Sequence, residues 1–284
     1  MKIQLELSSV NFSISHIDWL KNNIKPPLEI EKYYIAFRIY HDFDMYDDTM
    51  RCSKEIFRIA DKLGEDSFKV AALNYLGHIF FAKGDYKESF KHFQEGLKIS
   101  QQKREIIGVA SGLSNIGQIF YAKGNYHDAL KVFEEALKIN EQLGDLDKKA
   151  YSLNNIGIIY KTTGKYPEAL KRYEKASNIA DQLDVFPLKA VIFNNMGSIN
   201  YTLGNYPEAL RCYEEALRID KQLGNLAGKA TDLNNIAALH YSQGNYPEAL
   251  RQYEIALKIF EKVGSPKAKI IKDLIEGIKY EMKK

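Results

Sequence analysis

From Ala150 to Gly164 the chain reads AYSLNNIGIIYKTTG, with Ala150, Leu153, Ile156, Gly157 and Tyr160 at the three- and four-residue spacing of one helix face. After Gly164, KYPEALKRYEKASNIADQL sets Ala169, Tyr173, Ala176 and Ile179 on a second such stripe. Two amphipathic helices, A and B, are predicted on either side of the glycine. The pair recurs. Glycine stands at Gly84, Gly124, Gly164, Gly204 and Gly244, each followed two residues later by Tyr86, Tyr126, Tyr166, Tyr206 or Tyr246, a period of 40 residues. A fixed period of this size means stacked helix pairs that bury their apolar faces against their neighbours.

Helix boundaries are written locally. Pro167 falls in the first turn of helix B, where its missing N–H is no loss, and Glu168 beside it favours the positive end of the helix dipole. Asp85, Asn125, Asn205 and Asn245 stand at the N-cap position, with Glu88, Asp128, Glu208 and Glu248 three residues later as capping-box partners. Gly77, Gly117, Gly157 and Gly197 lie inside helix A at a cost of about 1 kcal/mol each. Close approach of helix B is expected to offset that cost, with Ala136, Ala176 and Ala216 facing the bare Cα.

This pattern resembles the tetratricopeptide repeat, in which helix A carries a bulky residue, Leu-Gly and an aromatic, and helix B carries Ala, an aromatic and Ala. Five units match over residues 67 to 262, and a divergent sixth runs from about Leu28 to Leu63, anchored by Tyr46, Phe57 and Ile59, with Asp44 in place of the turn glycine. The family's tryptophan is Leu113, Leu153 or Leu233 here, its closing proline is absent, and the extra residues, such as Gln142 to Asp147 with Gly144 as a stop, lengthen the unit. The longer form with Leu-Asn-Asn-Ile-Gly is similar to the repeats of Pins-type adaptors and, less closely, to those of kinesin light chains. The resemblance implies an all-α, right-handed α-solenoid of stacked helix-turn-helix units. Three segments are expected: residues 1–27 as an N-terminal extension, 28–264 as the repeat array, and 265–284 as a C-terminal capping helix with Ile270, Ile271, Leu274, Ile275 and Ile278 on its apolar stripe.

Composition narrows the function. Net charge is +3, too small for the electrostatic footprint of a nucleic-acid binder. No run of about 18 apolar residues is available to span a bilayer, and residues 1–10 lack the form of a secretory signal, so a cytoplasmic protein is expected. Cys52 and Cys212 share a register in different units and read as free thiols of a reducing compartment. The six histidines form no metal spacing, no cysteine pair has the C-x-x-C form, and no phosphate loop or nucleophile elbow occurs, so neither a metal, a cofactor nor an enzyme activity is expected.

The candidate chemistry is a ladder of amides. Helix A carries Asn115, Asn155, Asn195 and Asn235 at one register and Asn74, Asn154, Asn194 and Asn234 one residue earlier, at about half a kcal/mol in helix propensity each. A carboxamide offers a donor and an acceptor, matching both sides of a peptide group. In the families it resembles, the second asparagine contacts the backbone of a bound peptide, which by position implies Asn115, Asn155, Asn195 and Asn235; Tyr75 replaces it in the first clean unit. Equally open is that the amides bind water or bridge adjacent A helices, which suits the first asparagine of each pair better.

Beside the ladder run Phe81, Tyr121, Tyr201 and Tyr241, with Lys161 interrupting, and further in His78, Gln118, Ile158, Ser198 and Ala238, positions that would select ligand side chains or form an ordinary exposed aromatic face. Lys69, Lys149, Lys189 and Lys229, at the start of helix A, read as a basic rim for an acidic partner or as solvated helix ends. The expectation is a noncatalytic adaptor for an extended or partly helical peptide segment of another protein. The alternatives are a scaffold that self-associates through its ends or through residues 1–27, where His16, Ile17, Trp19, Leu20 and Ile24 form an apolar segment, and a regulatory domain that senses a signalling peptide.

Overall fold

The computed structural model describes Ile30, Tyr33 and residues 46–282. The expected N-terminal extension, residues 1–27, lies outside the described residues, as does Asp44. Every regular element described is helical: α1 (Tyr46–Leu63), α2 (Asp66–Ala82), α3 (Tyr86–Lys103), α4 (Ile106–Ala122), α5 (Tyr126–Leu143), α6 (Leu146–Thr162), α7 (Tyr166–Gln182), α8 (Phe186–Thr202), α9 (Tyr206–Leu223), α10 (Leu226–Ser242), α11 (Tyr246–Lys262) and α12 (Lys267–Glu281). The chain divides into two compact units, residues 1–99 and 100–284.

In the first unit α1 packs on α2. Ile30, Cys52, Ile56, Ile59, Ala60, Phe68 and Ala72 close a small core, with Tyr33 and Phe57 half-buried against it. In the second unit each helix packs on its neighbour in sequence, from α4 on α5 to α11 on α12, and the A helices also touch one another, α6 on α8 and α8 on α10. This is the all-α solenoid packing that the period implies. Stability in such a stack is a sum of neighbour interfaces rather than the property of one central core.

The apolar stripes are buried as expected. Ala150, Leu153 and Ile156 of α6 meet Ala169, Tyr173 and Ala176 of α7 in one core, all essentially inaccessible to solvent. What approaches the interior glycines differs from expectation. A Cβ on Gly157 would lie 2.6 Å from Cε1 of Tyr173, and on Gly117 and Gly197 it would meet the rings of Phe133 and Tyr213 at 2.8 and 2.6 Å. The ring three residues before each alanine, one helical turn earlier, packs against the bare Cα. The alanines line the same core without being the closing group.

Chain reversal uses the left-handed region twice per repeat. Gly124, Gly164, Gly204 and Gly244 have φ of +74° to +76°. The following residue donates back five positions, as in Asn125 N–H to Phe120 O at 2.8 Å, which is a Schellman stop. Between repeats Gly144 and Gly224 do the same, but Arg104 and Asp184 hold φ of +56° and +54° at that register without being glycine. Side-chain caps form at Asp85, Asn125 and Asn245, which accept the N–H of Glu88, Asp128 and Glu248. Asn205 departs from the expected cap. Its Nδ2 donates instead to Asn200 Oδ1 at 3.3 Å, a side chain that is aromatic or histidine in the neighbouring units.

Helix α12 covers the end of the stack with Ile271, Ile275 and Ile278, which join Tyr253 and Phe260 in the last core. Ile270 and Leu274 of the expected stripe are 61% and 44% exposed. The stripe is wider than the surface it has to cover.

Candidate functional site

Four A helices of the second unit, α4, α6, α8 and α10, present the same register positions in order. Side chains link them. Tyr121 Oη and Thr162 Oγ1 are 3.2 Å apart, Lys161 Nζ donates to Asn195 Oδ1 at 2.6 Å, and Tyr201 Oη and Ser242 Oγ are 2.5 Å apart. In the column that reads Tyr, Lys, Tyr, Tyr, the first three side chains therefore bridge adjacent helices. Each tyrosine also packs on the tyrosine opening the next B helix, Tyr121 on Tyr126 at 5.6 Å, Tyr201 on Tyr206 at 5.9 Å and Tyr241 on Tyr246 at 5.4 Å. The rings are held along their flanks, which preorganises their half-exposed surfaces. The Gly-x-Tyr signal contained this partner, although sequence reasoning took it only as a turn marker.

The asparagines fall into two groups. Asn235 Nδ2 donates to Asn194 Oδ1 at 2.5 Å, Asn194 Nδ2 donates to Asp232 Oδ1, and Asn234 Nδ2 reaches Asn235 Oδ1 at 3.4 Å. Asn194 and Asn235, from adjacent A helices, thus form an interhelical strut, the bridging alternative raised by the sequence. On α6 the pattern is opposite. Asn154 is buried with Oδ1 unpartnered, and half-buried Asn155 makes no side-chain hydrogen bond to any described residue. Asn195 accepts from Lys161 and keeps its Nδ2 hydrogens. Asn115 is buried and Gln118 half-buried on α4. In the first unit, Asn74 is half-buried on α2, and exposed His78 sits edge-on to Phe93 at 4.9 Å.

Lys161 places a cation on this face. Its side chain is half-buried, burial pulls its pKa below the usual lysine value, and it forms no ion pair among the described residues. The lysines at the helix A starts behave otherwise. Lys69, Lys149 and Lys189 pair with Asp61, Glu141 and Asp181 on the preceding helix at 2.7, 3.1 and 2.5 Å. They form repeat-to-repeat ion pairs, neither a rim held open for a partner nor simply solvated ends. Lys229 breaks the series because Lys221 occupies the carboxylate register.

Sequence reasoning missed a buried acid pair. Asp232 is 0% exposed and Asp220 4%, on facing helices α10 and α9, with Asn225 Nδ2 donating to Asp220 Oδ1 at 2.9 Å. Burial, then the neighbouring Asp220 carboxylate, pushes Asp232 up to about 8. Its Oδ1 accepts from Asn194, and its Oδ2 is buried without a hydrogen-bond partner, a setting that disfavours the charged form. The signal was present at the 40-residue register, where positions 100, 140, 180 and 220 read Ser, Asn, Ala, Asp and positions 112, 152, 192 and 232 read Gly, Ser, Ile, Asp. A carboxylate where a sister repeat packs isoleucine marks a polar layer inside the stack.

Among the described residues no group of three or more His, Cys, Asp or Glu side chains is placed to hold a metal ion, and no helix is long and apolar enough to cross a membrane. Cys52 and Cys212 are buried free thiols, and burial pushes Cys212 up to about 12.

Comparison with known proteins bears on this architecture. A search of curated proteins finds no match. Among solved structures, BtubC (BKLC) from P. vanneervenii superposes with a TM-score of 0.66 at 21% identity, covering 77% of this chain and 92% of that one. A Rap protein complexed with competence and sporulation factor gives 0.66 at 14% identity, covering 93% and 79%. A putative kinesin light chain with nearly identical TPR-like repeats from Podosopora anserina gives 0.56 at 14% identity, covering 69% and 96%. At these identities the likeness is one of fold. Two tetratricopeptide repeat models match the sequence itself, one over residues 108–182 and 188–262 and the other over 70–103, so the chain belongs to the tetratricopeptide repeat family.

Proposed function

We propose that the face formed by α4, α6, α8 and α10 binds an extended or partly helical segment of another protein, reversibly and without catalysis. The observation that carries this reading is Asn155, whose half-buried carboxamide has no hydrogen-bond partner among the described residues. A carboxamide left open in this way can exchange its water for a peptide group, which offers it both an acceptor and a donor. Asn195 Nδ2 and Lys161 Nζ lie at the same place and add donors. The ladder of four rungs suggested by the sequence narrows to α6 and α8, because Asn235 is engaged by Asn194. The Rap protein of like fold was crystallised with a bound factor, which is support by analogy of fold alone.

Selection of binders from a random 12-residue peptide library on the full chain, followed by fluorescence anisotropy, tests the proposal. Asn155→Ala should weaken a selected peptide about fivefold, corresponding to about 1 kcal/mol for one hydrogen bond, with the melting temperature unchanged. Lys161→Glu should disfavour peptides with an acidic residue. Selected peptides that bind both variants as well as the parent would refute the reading.

A further inference from the structure

Helix α12 does more than close the stack. Its residues Ile270, Asp273, Leu274, Gly277 and Glu281 share one helix face. Together with Tyr241, Tyr253 and Ile278 they line a cavity of about 400 Å³. This size is within the range of ligand pockets and accommodates one or two side chains, not a domain surface. Single exposed apolar residues are ordinary. Here three gather in one concavity, Ile270 at 61%, Leu274 at 44% and Tyr241 at 40% exposure. Gly277 has no heavy atom within 4 Å of where a Cβ would stand, so the helix is at its thinnest at the cavity wall.

The polar part of the lining has one sign. Asp273 and Glu281 form no ion pair or hydrogen bond among the described residues, and the nearby cation Lys279 is turned to Glu254 at 2.7 Å. An apolar cavity with two unpaired carboxylates and a tyrosine face suits a cationic, amphipathic occupant. Arginine fits that lining best, because its guanidinium pairs with carboxylates and stacks on an aromatic ring, while its neighbour fills the apolar volume.

We propose that the cavity between α10 and α12 is an anchor pocket for a partner segment carrying a bulky apolar side chain next to an arginine. Tyr241 belongs both to this pocket and to the A-helix face, so the anchor rests on the peptide-binding reading and fixes which end of the face holds the basic part of the ligand. Lys161, further along the face, favours an acidic part. A bound segment is therefore charge-polarised, acidic over α6 and α8 and apolar-basic at α12.

The test titrates the full isotope-labelled chain with the capped dipeptides N-acetyl-Trp-Arg-amide, N-acetyl-Trp-Glu-amide and N-acetyl-Gly-Arg-amide, followed by amide NMR shifts. The expected result is saturable shifts centred on Tyr241, Ile270 and Gly277 for Trp-Arg, with the other two probes at least about fivefold weaker. Gly277→Leu, which meets open space, should abolish the shifts. As a second variant that leaves the packing untouched, Asp273→Asn with Glu281→Gln should remove the preference for Arg over Glu. Equal binding of Trp-Glu, or shifts indifferent to Gly277→Leu, overturns the proposal. So does concentration-dependent dimerisation that Gly277→Leu abolishes, which would make a second copy the occupant. Because the dipeptides do not reach α6, failure here leaves the Asn155 test standing. Loss of the Asn155 effect with dipeptide binding intact would instead remove the groove and spare the pocket.

Discussion

Asn235 Nδ2 donates to Asn194 Oδ1 at 2.5 Å, joining two A helices across 41 residues of chain, and Asn194 passes the link to buried Asp232. The second asparagine of one repeat thus holds the first asparagine of the repeat before it. Asn235→Ala removes a partner from inside a polar network, which costs about 1 to 3 kcal/mol. Its melting temperature should fall by several degrees, whereas Asn155→Ala should melt with the parent. Calorimetry on the two variants makes the comparison, and equal melting temperatures would contradict the division of the asparagines into struts and open amides.

The acid pair predicts a pH dependence of unusual sign. Asp232 is raised to about 8 in the folded chain, from near 4 for an unfolded aspartate. Between those values the folded state holds a proton that the unfolded state has released, so stability falls as pH rises and the contribution is gone above about 8. Urea unfolding at pH 5, 7 and 9 should show the second unit weakening with pH, while Asp232→Asn, which keeps a neutral side chain at the site, should show a flatter profile. A parent profile parallel to that of Asp232→Asn would mean that Asp232 is ionised throughout.

The repeat, its helix boundaries and its core were legible in the sequence because each depends on local spacing. Leu153, Ile156 and Tyr173 are buried because period and polarity leave them no alternative. Less legible was everything that depends on one repeat meeting the next. Lys189 meets Asp181 and Tyr201 meets Ser242 through offsets fixed by the packing of adjacent units. No pattern within a single unit encodes these offsets. The Asn register was visible, but whether a given amide bridges or stays open depends on whether a partner such as Asp232 stands behind it.

The contact of Gly157 with Tyr173 can be tested from both sides. A Cβ at Gly157 would lie 2.6 Å from the ring, so Gly157→Ala should cost about 1 to 3 kcal/mol by overpacking despite alanine's better helix propensity. Tyr173 itself is fully buried with its hydroxyl unpartnered, and the equivalent residues Phe93 and Phe133 lack one. Tyr173→Phe should therefore be neutral or stabilising, by up to about 1 kcal/mol. A loss of stability in Tyr173→Phe would mean that the hydroxyl has an acceptor after all.

Asp184 holds φ of +54° where the equivalent residues of two other inter-repeat turns are Gly144 and Gly224. The left-handed conformation costs a residue with a Cβ about 1 to 2 kcal/mol, partly offset for aspartate by local hydrogen bonding. Asp184→Gly should raise the melting temperature modestly, and Arg104→Gly, whose side chain lacks that local option, should raise it more. The order of the two is the informative result. If Asp184→Gly gains more, backbone strain is not what distinguishes these turns.

Removing residues 265–284 should unfold one end and not the whole. Ile271, Ile275 and Ile278 are buried against the core that contains Tyr253, Ala256 and Phe260, and each buried isoleucine contributes about 1.5 to 3 kcal/mol. Without α12 those groups of α11 face water. Because a stacked array is held by neighbour interfaces, the loss falls mainly on α10 and α11, while α4 to α8 keep their own contacts. Hydrogen exchange on the truncated chain should show protection lost from residue 226 onward and retained between 106 and 202. Uniform loss of protection across the second unit would show that it unfolds as one cooperative body, and the nearest-neighbour description would then fail for this chain.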